Sequence, residues 1–205
     1  VIMGLYLTIY DLGLYGIAVT IVSIFIDAIN MLNGKVLIPL FKHLQSYPPK
    51  EMKHRVFLVR LFLILLTLPP LFILTIWGQK IIDLLYPASY SHAGWMLQII
   101  AAGSTIKAVT GSISPIFIAV GDSYRLMLTQ LSQSILLIIL MVAAGYFFGP
   151  LGLIAATTLS ELFNYPILIH NAKRYEVWLP ALDLISIVVS AIVIIVGLSW
   201  KPPIF

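Results

Sequence analysis

The stretch that decides the fold is residues 126–169, LMLTQLSQSILLIILMVAAGYFFGPLGLIAATTLSELFNYPILI. It contains two long apolar runs, residues 126–148 and 151–169, joined only by Gly149-Pro150. Each run has about the 20 residues that a helix needs to cross the hydrocarbon core of a bilayer. Because the connection leaves almost no loop, the two runs are predicted to form an antiparallel pair of transmembrane helices.

Four further apolar runs of similar length lie outside this pair. The six predicted spans cover residues 14–41, 56–77, 95–120, 126–148, 151–169 and 179–200. We therefore predict an all-α integral membrane protein whose residues 11–200 form one transmembrane lobe of about six helices. Residues 1–10 are too short to span and are predicted to be the tail of a truncated preceding helix. Residues 201–205 are predicted to be a truncated end.

The composition excludes several classes of protein. Of the 205 residues, 60% are hydrophobic and 10% are charged, whereas soluble domains carry about 25% charged residues. A soluble enzyme and a nucleic-acid-binding domain are therefore not expected. The chain has no cysteine and only four histidines, and these histidines lack the i, i+4 spacing of a helical zinc site. We expect no metal, no cofactor and no catalytic residue.

Basic residues alternate between the two ends of the predicted spans. Since cytoplasmic loops of membrane proteins are enriched in lysine and arginine, the richer end is predicted to lie in the cytoplasm of a multi-pass protein of the cell (inner or plasma) membrane. The other end carries only Lys80 and Lys201. The predicted cytoplasmic group comprises Lys42, Lys50, Lys53, Arg55, Arg125, Lys173 and Arg174.

Two local features modify this plan. Residues 81–86, IIDLLY, are predicted to form a short amphipathic helix on the outer interface. The prolines at Pro69-Pro70 and at Pro115 remove backbone donors within spans, so we predict a break in each helix ladder.

Three ionisable residues, Asp27, Lys107 and Glu161, fall near the centres of predicted spans. A charge at the bilayer centre costs about 2.5–3.5 kcal/mol even on insertion scales, so these residues are expected to face protein or water. Polar residues at helical spacing support a shared path. The candidate substrate or ion pathway comprises Asp27, Asn30, Lys107, Gln130, Gln133, Glu161 and Asn164. The alternative is that Lys107 pairs with Asp27 or Glu161 and only holds helices together.

The order of several apolar motifs resembles a known family. Leu12-Gly13-Leu14-Tyr15-Gly16-Ile17-Ala18 opens the first span, Ile81-Ile82-Asp83-Leu84-Leu85-Tyr86 follows the second, and Gly149-Pro150-Leu151-Gly152-Leu153 opens the fifth. In this order the chain resembles the C-terminal half of polysaccharide flippases, the oligosaccharide-unit translocases of the multidrug/oligosaccharidyl-lipid/polysaccharide exporter superfamily.

The resemblance implies one lobe of a two-lobe transporter that works by alternating access. The implied substrate is a polyprenyl-pyrophosphate-linked oligosaccharide for surface polysaccharide or lipopolysaccharide biosynthesis. The implied partners are the missing N-terminal lobe of the same protein, membrane lipid and a coupling proton or sodium ion, with no nucleic acid. Lys107 would attract the pyrophosphate, Asp27 and Glu161 would hold Lys107 charged or couple an ion, and the amides would bind sugar hydroxyls.

Other functions stay open at this point. A cation-coupled multidrug exporter and a lipid II flippase belong to the same superfamily, and in the exporter Asp27 and Glu161 would bind the cationic drug. A structural membrane subunit, from another class, would use the same charges only to lock its helices. A membrane glycosyltransferase is disfavoured, because no acidic cluster is placed to hold a metal and a sugar nucleotide.

Overall fold

A computed structural model describes residue 4 and residues 7–44, 49–175 and 177–199. These residues form seven α-helices, with a five-residue π-helical segment, Asn33–Leu37, between the first two. Short 3₁₀ turns lie at Ala88–Tyr90 and Lys173–Tyr175. The α-helices are α1 (Ile9–Leu32), α2 (Ile38–Leu44), α3 (Pro49–Leu85), α4 (Ala93–Gly111), α5 (Pro115–Ala119), α6 (Ser123–Ala172) and α7 (Pro180–Ser199).

Five helical segments of the described chain are long and apolar enough to cross a membrane. They cover Ile9–His43, Glu51–Leu85, Ala93–Ala119, Ser123–Tyr175 and Pro180–Gly197. The prediction of an all-α membrane protein is thereby confirmed. The fourth segment contains both of the runs that the sequence separates at Gly149-Pro150.

Two arms of α6 fold back on each other at Gly149. This residue has φ 59° and ψ −141°, a left-handed conformation that favours glycine. Near the base of the hairpin, Arg125 Nη1 donates to the Asn171 carbonyl at 3.0 Å, and Ser132 Oγ donates to Asn164 Oδ1 at 2.7 Å. Near its tip, Gly152 lies so close to the Ala144 backbone that a Cβ would collide with it. The arms are therefore antiparallel, as the short connection predicts.

The start of α1 corrects the predicted boundary at residue 10. The Thr8 hydroxyl caps the helix by accepting from the Asp11 backbone N–H at 3.1 Å, so Ile9 and Tyr10 are the first residues of α1. The boundary predicted at residue 10 thus lies two residues inside α1, and the predicted origin of the residues before Thr8 stays a prediction. Residues 1–3, 5 and 6 and residues 200–205 lie outside the described part, so the predicted truncated ends are not described.

The prolines act differently in the two helices that contain them. Helix α3 continues across Pro69-Pro70, so the predicted break there is wrong. Proline has a helical φ, and the ladder bends or breaks only if its clash and its lost donor are not accommodated. Helix α4 does end before Pro115, where Ser112 and Ile113 donate to Val109 and Thr110 in three-residue turns.

The predicted interfacial helix at residues 81–86 is instead the last part of α3, which runs unbroken to Leu85. Gly78, which suggested the end of the span, is a close-contact position. A Cβ there would lie 2.7 Å from Cγ of Gln98 on α4. The glycine therefore serves the packing of α3 on α4 and does not terminate the helix.

Helix α4 is the centre of the lobe and packs against α1, α3, α6 and α7. One core cluster joins Leu14, Leu71, Met96 and Leu97 around its first half. A second cluster, at the other end of the lobe, includes Phe41, Ile113, Phe117 and Leu168. In a bilayer, where lipid is as apolar as these side chains, such clusters stabilise the association of helices through close packing. Between α1 and α6, a groove opens over α4 at Lys107, which is the one exposed residue of this helix.

Candidate functional site

The part of α4 between α1 and α6 forms the floor of a groove whose walls are these two helices. Ile100, Gly103, Lys107 and Thr110 of α4 line the groove at helical spacing, and Ser114 continues the line in the turn after α4. Two cavities open along the groove, a large cavity of ≈ 480 Å³ and a small cavity of ≈ 220 Å³. Lys107 and Glu161 line both. They therefore stand where the two cavities meet.

The large cavity lies at the α5 end of the groove and is rich in amides. Its volume is within the range of about 300–1,000 Å³ that is typical of ligand pockets. Six of the seven candidate residues from the sequence converge on it. They are Asn30 from α1, Lys107 from α4, Gln130 and Gln133 from the first arm of α6, and Glu161 and Asn164 from its second arm.

Lys107 is exposed, whereas residues 101–106 and 108–110 around it are buried. Among the described residues its ammonium has no hydrogen-bond partner and no carboxylate within 4.0 Å. The arrangement leaves a cation at mid-helix directed into a polar cavity.

Asp27 is the candidate that the structure does not bring into the groove. It is exposed and lines neither cavity. Its neighbours Ser23 and Asn30 do line the groove, but Asp27 is turned toward the face of α1 that carries the exposed Ile24 and Met31. The helical spacing correctly groups Ser23, Asn30 and Gly34, and Asp27 lies at the edge of that group.

Two irregular helix segments meet at the large cavity. In an unbroken helix the Gly111 carbonyl would accept from the N–H of residue 115, but Pro115 has none. The carbonyl accepts from Asn33 Nδ2 instead, at 3.3 Å. Asn33 begins the π-helical segment, and Pro39, two residues past that segment, cannot donate either. Such π-helical insertions are frequent at functional sites.

The amides of α6 are not all free for a ligand. Asn164 Oδ1 accepts from Ser132, so this residue partly serves to hold the two arms together. Gln133 Nε2 donates to Ser160 Oγ at 3.4 Å, while its Oε1 is buried without a partner among the described residues. Gln133 therefore has an acceptor that no described residue uses. The described chain has no group of three or more His, Asp or Glu side chains that is placed to hold a metal ion.

A comparison with protein-family models adds independent evidence. Residues 1–94 match the family described as polysaccharide biosynthesis protein. This match covers just under half of the chain and supports the resemblance of its motifs to the polysaccharide flippase family. No curated protein and no solved structure matches the chain. The apolar helices indicate a multi-pass membrane protein, the match links residues 1–94 to polysaccharide biosynthesis, and the place of the chain as a C-terminal half stays a prediction.

The matched segment covers α1, α2 and α3 and reaches into the first residues of α4. Asp27 and Asn30 lie within it. The groove floor at Lys107 and the amides of α6 lie beyond it, so their roles depend on the geometry alone.

Sequence reasoning missed a buried charge pair. Arg60 on α3 and Asp183 on α7 are both fully buried and form an ion pair at 2.6 Å. Arg60 also donates to Ser112 Oγ at 3.0 Å and to the Val177 carbonyl at 3.1 Å. Tyr165, from the wall of the large cavity, donates to Asp183 Oδ2 at 3.1 Å. We call these five residues the Arg60 network.

The sequence held only a weak signal for this network. Arg60 and Asp183 each lie four residues inside a predicted span, where charged residues commonly reach the interface. Nothing in the helical spacing of either span identifies a partner 123 residues away. The network joins α3, α6, α7, the α4–α5 turn and the segment before α7, and it lies behind the cavity wall.

Proposed function

We propose that the chain forms one lobe of a flippase that moves a polyprenyl-pyrophosphate-linked oligosaccharide across the cell membrane, for the synthesis of surface polysaccharide or lipopolysaccharide. The observation that carries the proposal is the unpaired Lys107 at mid-groove, flanked by amides. We propose transport by alternating access, with a second, N-terminal lobe, and no covalent chemistry.

The electrostatics of the groove favour an anionic ligand at Lys107. An unpaired ammonium at mid-membrane depth is costly, and a pyrophosphate would offset that cost with charge-assisted hydrogen bonds. Interaction between opposite charges is stronger in a groove partly shielded from water than in bulk solvent. The ligand would displace whatever water hydrates the ammonium in the empty groove.

The amides of the large cavity suit the sugar part of the substrate. Asparagine and glutamine each offer donors and acceptors, which match the hydroxyl groups of an oligosaccharide. Asn30, Gln130 and Gln133 contribute to this surface. Because amides carry no charge, sugars would bind without a large desolvation penalty and would be released again.

The exposed Asp27 supports the presence of a partner lobe. A lone carboxylate at membrane depth does not face lipid, so the α1 face that carries Asp27 would pack on protein or line a central water-filled cleft. We propose that the N-terminal lobe covers this face. Asp27 and Glu161 are then the groups that would couple transport to a proton or a sodium ion.

The proposal is tested in vesicles that contain the full-length protein and a lipid-linked oligosaccharide. Transfer between leaflets is measured as accessibility of the sugar to an added enzyme or periodate. We expect Lys107→Ala to abolish transfer and Lys107→Arg to retain part of it, because arginine keeps the charge. Lys35→Ala is the matched control, since Lys35 is exposed on the same lobe and lines neither cavity. Transfer by Lys107→Ala at the wild-type rate would overturn the proposal.

One observation favours a cation-coupled drug exporter as a second candidate. Glu161 lines both cavities, and a carboxylate in a pathway attracts organic cations. The same vesicles loaded with a cationic dye distinguish the two functions. Dye efflux that Glu161→Gln abolishes and Lys107→Ala leaves intact would support the exporter.

A further inference from the structure

We propose that the small cavity binds the first isoprenoid units of the substrate's lipid, next to the pyrophosphate at Lys107. The inference rests on the proposed function and deepens it, because it assigns a direction to the bound substrate. The sugars would occupy the large cavity at the α5 end, and the hydrocarbon chain would leave along the opposite half of the groove. Lys107 and Glu161 would stand at the boundary between the polar and the apolar part of the ligand.

The two halves of the groove differ in chemistry. Apart from Lys107 and Glu161, the small cavity is lined largely by apolar side chains. These are Tyr15, Val19, Val22 and Ile26 on α1 and Ile100 on α4. The amides that line the large cavity are absent from this lining. A chain of isoprene units gains free energy from such a surface in proportion to the apolar area removed from water.

Two of the hydroxyls that line the small cavity donate within their own helices. Ser23 Oγ donates to the Thr20 carbonyl at 2.9 Å, and Thr157 Oγ1 donates to the Ile154 carbonyl at 2.7 Å. These two groups have no unused donor to offer a sugar. Without the amides of the large cavity, this half therefore offers a saccharide less compensation for its lost hydration.

The small cavity is also smaller in volume. Its ≈ 220 Å³ is less than half of the ≈ 480 Å³ of the large cavity. At Gly103, which lines it, α4 and the second arm of α6 approach so closely that a Cβ would lie 3.0 Å from Thr158 Cα. A slender hydrocarbon chain fits this half better than a branched oligosaccharide.

A phosphate-headed lipid has two sources in a membrane, the polyprenyl carrier and the bilayer phospholipids. Both combine an anionic phosphate with hydrocarbon, and both match Lys107 beside an apolar cavity. The experiment therefore includes phosphatidic acid as a competitor, because it presents a phosphate on two straight acyl chains. An isoprenoid site prefers the branched chain, whereas a general lipid site does not distinguish the two.

Binding is measured with the purified full-length protein in phosphatidylcholine nanodiscs. The probes are inorganic pyrophosphate and farnesyl pyrophosphate, which share the anion and differ by three isoprene units. We expect the farnesyl compound to bind at least about tenfold more tightly, since burying even a few methylenes gives that factor. Lys107→Ala should weaken both probes.

Two variants fill the small cavity from α1, namely Val19→Trp and Ile26→Trp. Either variant should lower the affinity for farnesyl pyrophosphate to that for inorganic pyrophosphate, and should leave pyrophosphate binding unchanged. Ile24→Trp is the matched control on the same helix, because Ile24 is 64% exposed and lines neither cavity. Two independent filling positions keep the test valid if one variant does not fold.

The outcomes separate this inference from the proposed function. Equal affinity of the two probes, or a farnesyl advantage that survives both tryptophans, overturns the isoprenoid site while Lys107-dependent pyrophosphate binding keeps the flippase proposal. Displacement of farnesyl pyrophosphate by an equal amount of phosphatidic acid assigns the cavity to bilayer phospholipid and also overturns it. Absence of pyrophosphate binding in the wild type contradicts both proposals.

Discussion

Arg60 and Lys107 are two cations of the same membrane lobe in opposite surroundings. Arg60 is fully buried, and each part of its guanidinium has an acceptor, including Asp183 at 2.6 Å. Lys107 projects from a buried helix into an open groove and has no such acceptor among the described residues. The comparison teaches that partner geometry, more than depth in the membrane, separates a charge that holds the fold from one that is free to bind a ligand.

The two regions are nevertheless adjacent. Tyr165 contributes to the large cavity and donates to Asp183 in the Arg60 network. The network thereby fixes the wall against which a ligand at Lys107 would bind. A fully satisfied polar network is rigid and specifies one arrangement, and the lone ammonium beside it is the adaptable part of the site.

The largest loss of stability is expected from disrupting the Arg60 network. Arg60→Ala leaves the Asp183 carboxylate buried without its cation and the Val177 carbonyl without its donor. Loss of one partner of a buried ion pair destabilises a protein by about 3–5 kcal/mol. The measurement is the thermal unfolding midpoint of the full-length protein in detergent, with Lys35→Ala as the exposed control. Adding Asp183→Leu to Arg60→Met should recover part of the loss, because no charge is then left unpaired. If the unfolding midpoint of Arg60→Ala equals that of the wild type, the network does not stabilise the fold.

A smaller loss of stability is expected at Gly103, where the floor of the groove on α4 meets its α6 wall. Gly103→Ala places a Cβ against Thr158 and forces α4 and α6 apart, which we expect to cost about 1–3 kcal/mol. Gly16→Ala is the matched control, because nothing lies within 4 Å of its Cβ position. That change should be neutral or stabilising, since alanine favours helix by about 1 kcal/mol over glycine. The same midpoint for both variants would contradict the close approach at Gly103.

The sequence alone identifies the groove residues around Lys107, but it does not identify the Arg60 network. Depth within a span identifies Lys107 and Glu161, and helical spacing identifies Asn30, Gln130 and Asn164 as companions. The Arg60–Asp183 pair escapes such reasoning because it depends on how α3 and α7 dock. No local pattern in either helix records that docking.

The prolines show the same limit. Pro69-Pro70 and Pro115 remove the same donor, yet α3 continues and α4 ends. At Pro115 the freed Gly111 carbonyl accepts from Asn33, which belongs to another helical segment. Only the assembled lobe contains that information.

A still smaller effect on stability is expected from Asp122, a carboxylate before the first turn of α6. The hydrogen bond from the Tyr175 hydroxyl lowers the pKa of Asp122, as do the Arg125 backbone N–H and the charges of Arg125 and Arg174. Because this pKa is lower in the folded chain, the stabilisation is complete above the ordinary carboxyl pKa of about 3.9 and is lost as the pH falls through the lowered value.

Asp122→Asn isolates this contribution, because asparagine still caps α6. We expect the variant to be slightly less stable than the wild type at pH 7 and the difference to shrink as the pH falls below 4. Unfolding midpoints of both proteins across this range provide the measurement. If the difference in midpoint between the two proteins grows as the pH falls, the pKa of Asp122 is not lowered in the folded chain.

The most direct test of the central claim is the unfolding midpoint of Lys107→Ala, measured beside Arg60→Ala in the full-length protein without substrate. If Lys107 is a ligand-binding cation without a structural partner, its removal should leave the midpoint unchanged or raise it slightly, because an unpaired charge at membrane depth is itself costly. A midpoint lowered as far as that of Arg60→Ala would show that Lys107 holds the helices together and would contradict the account.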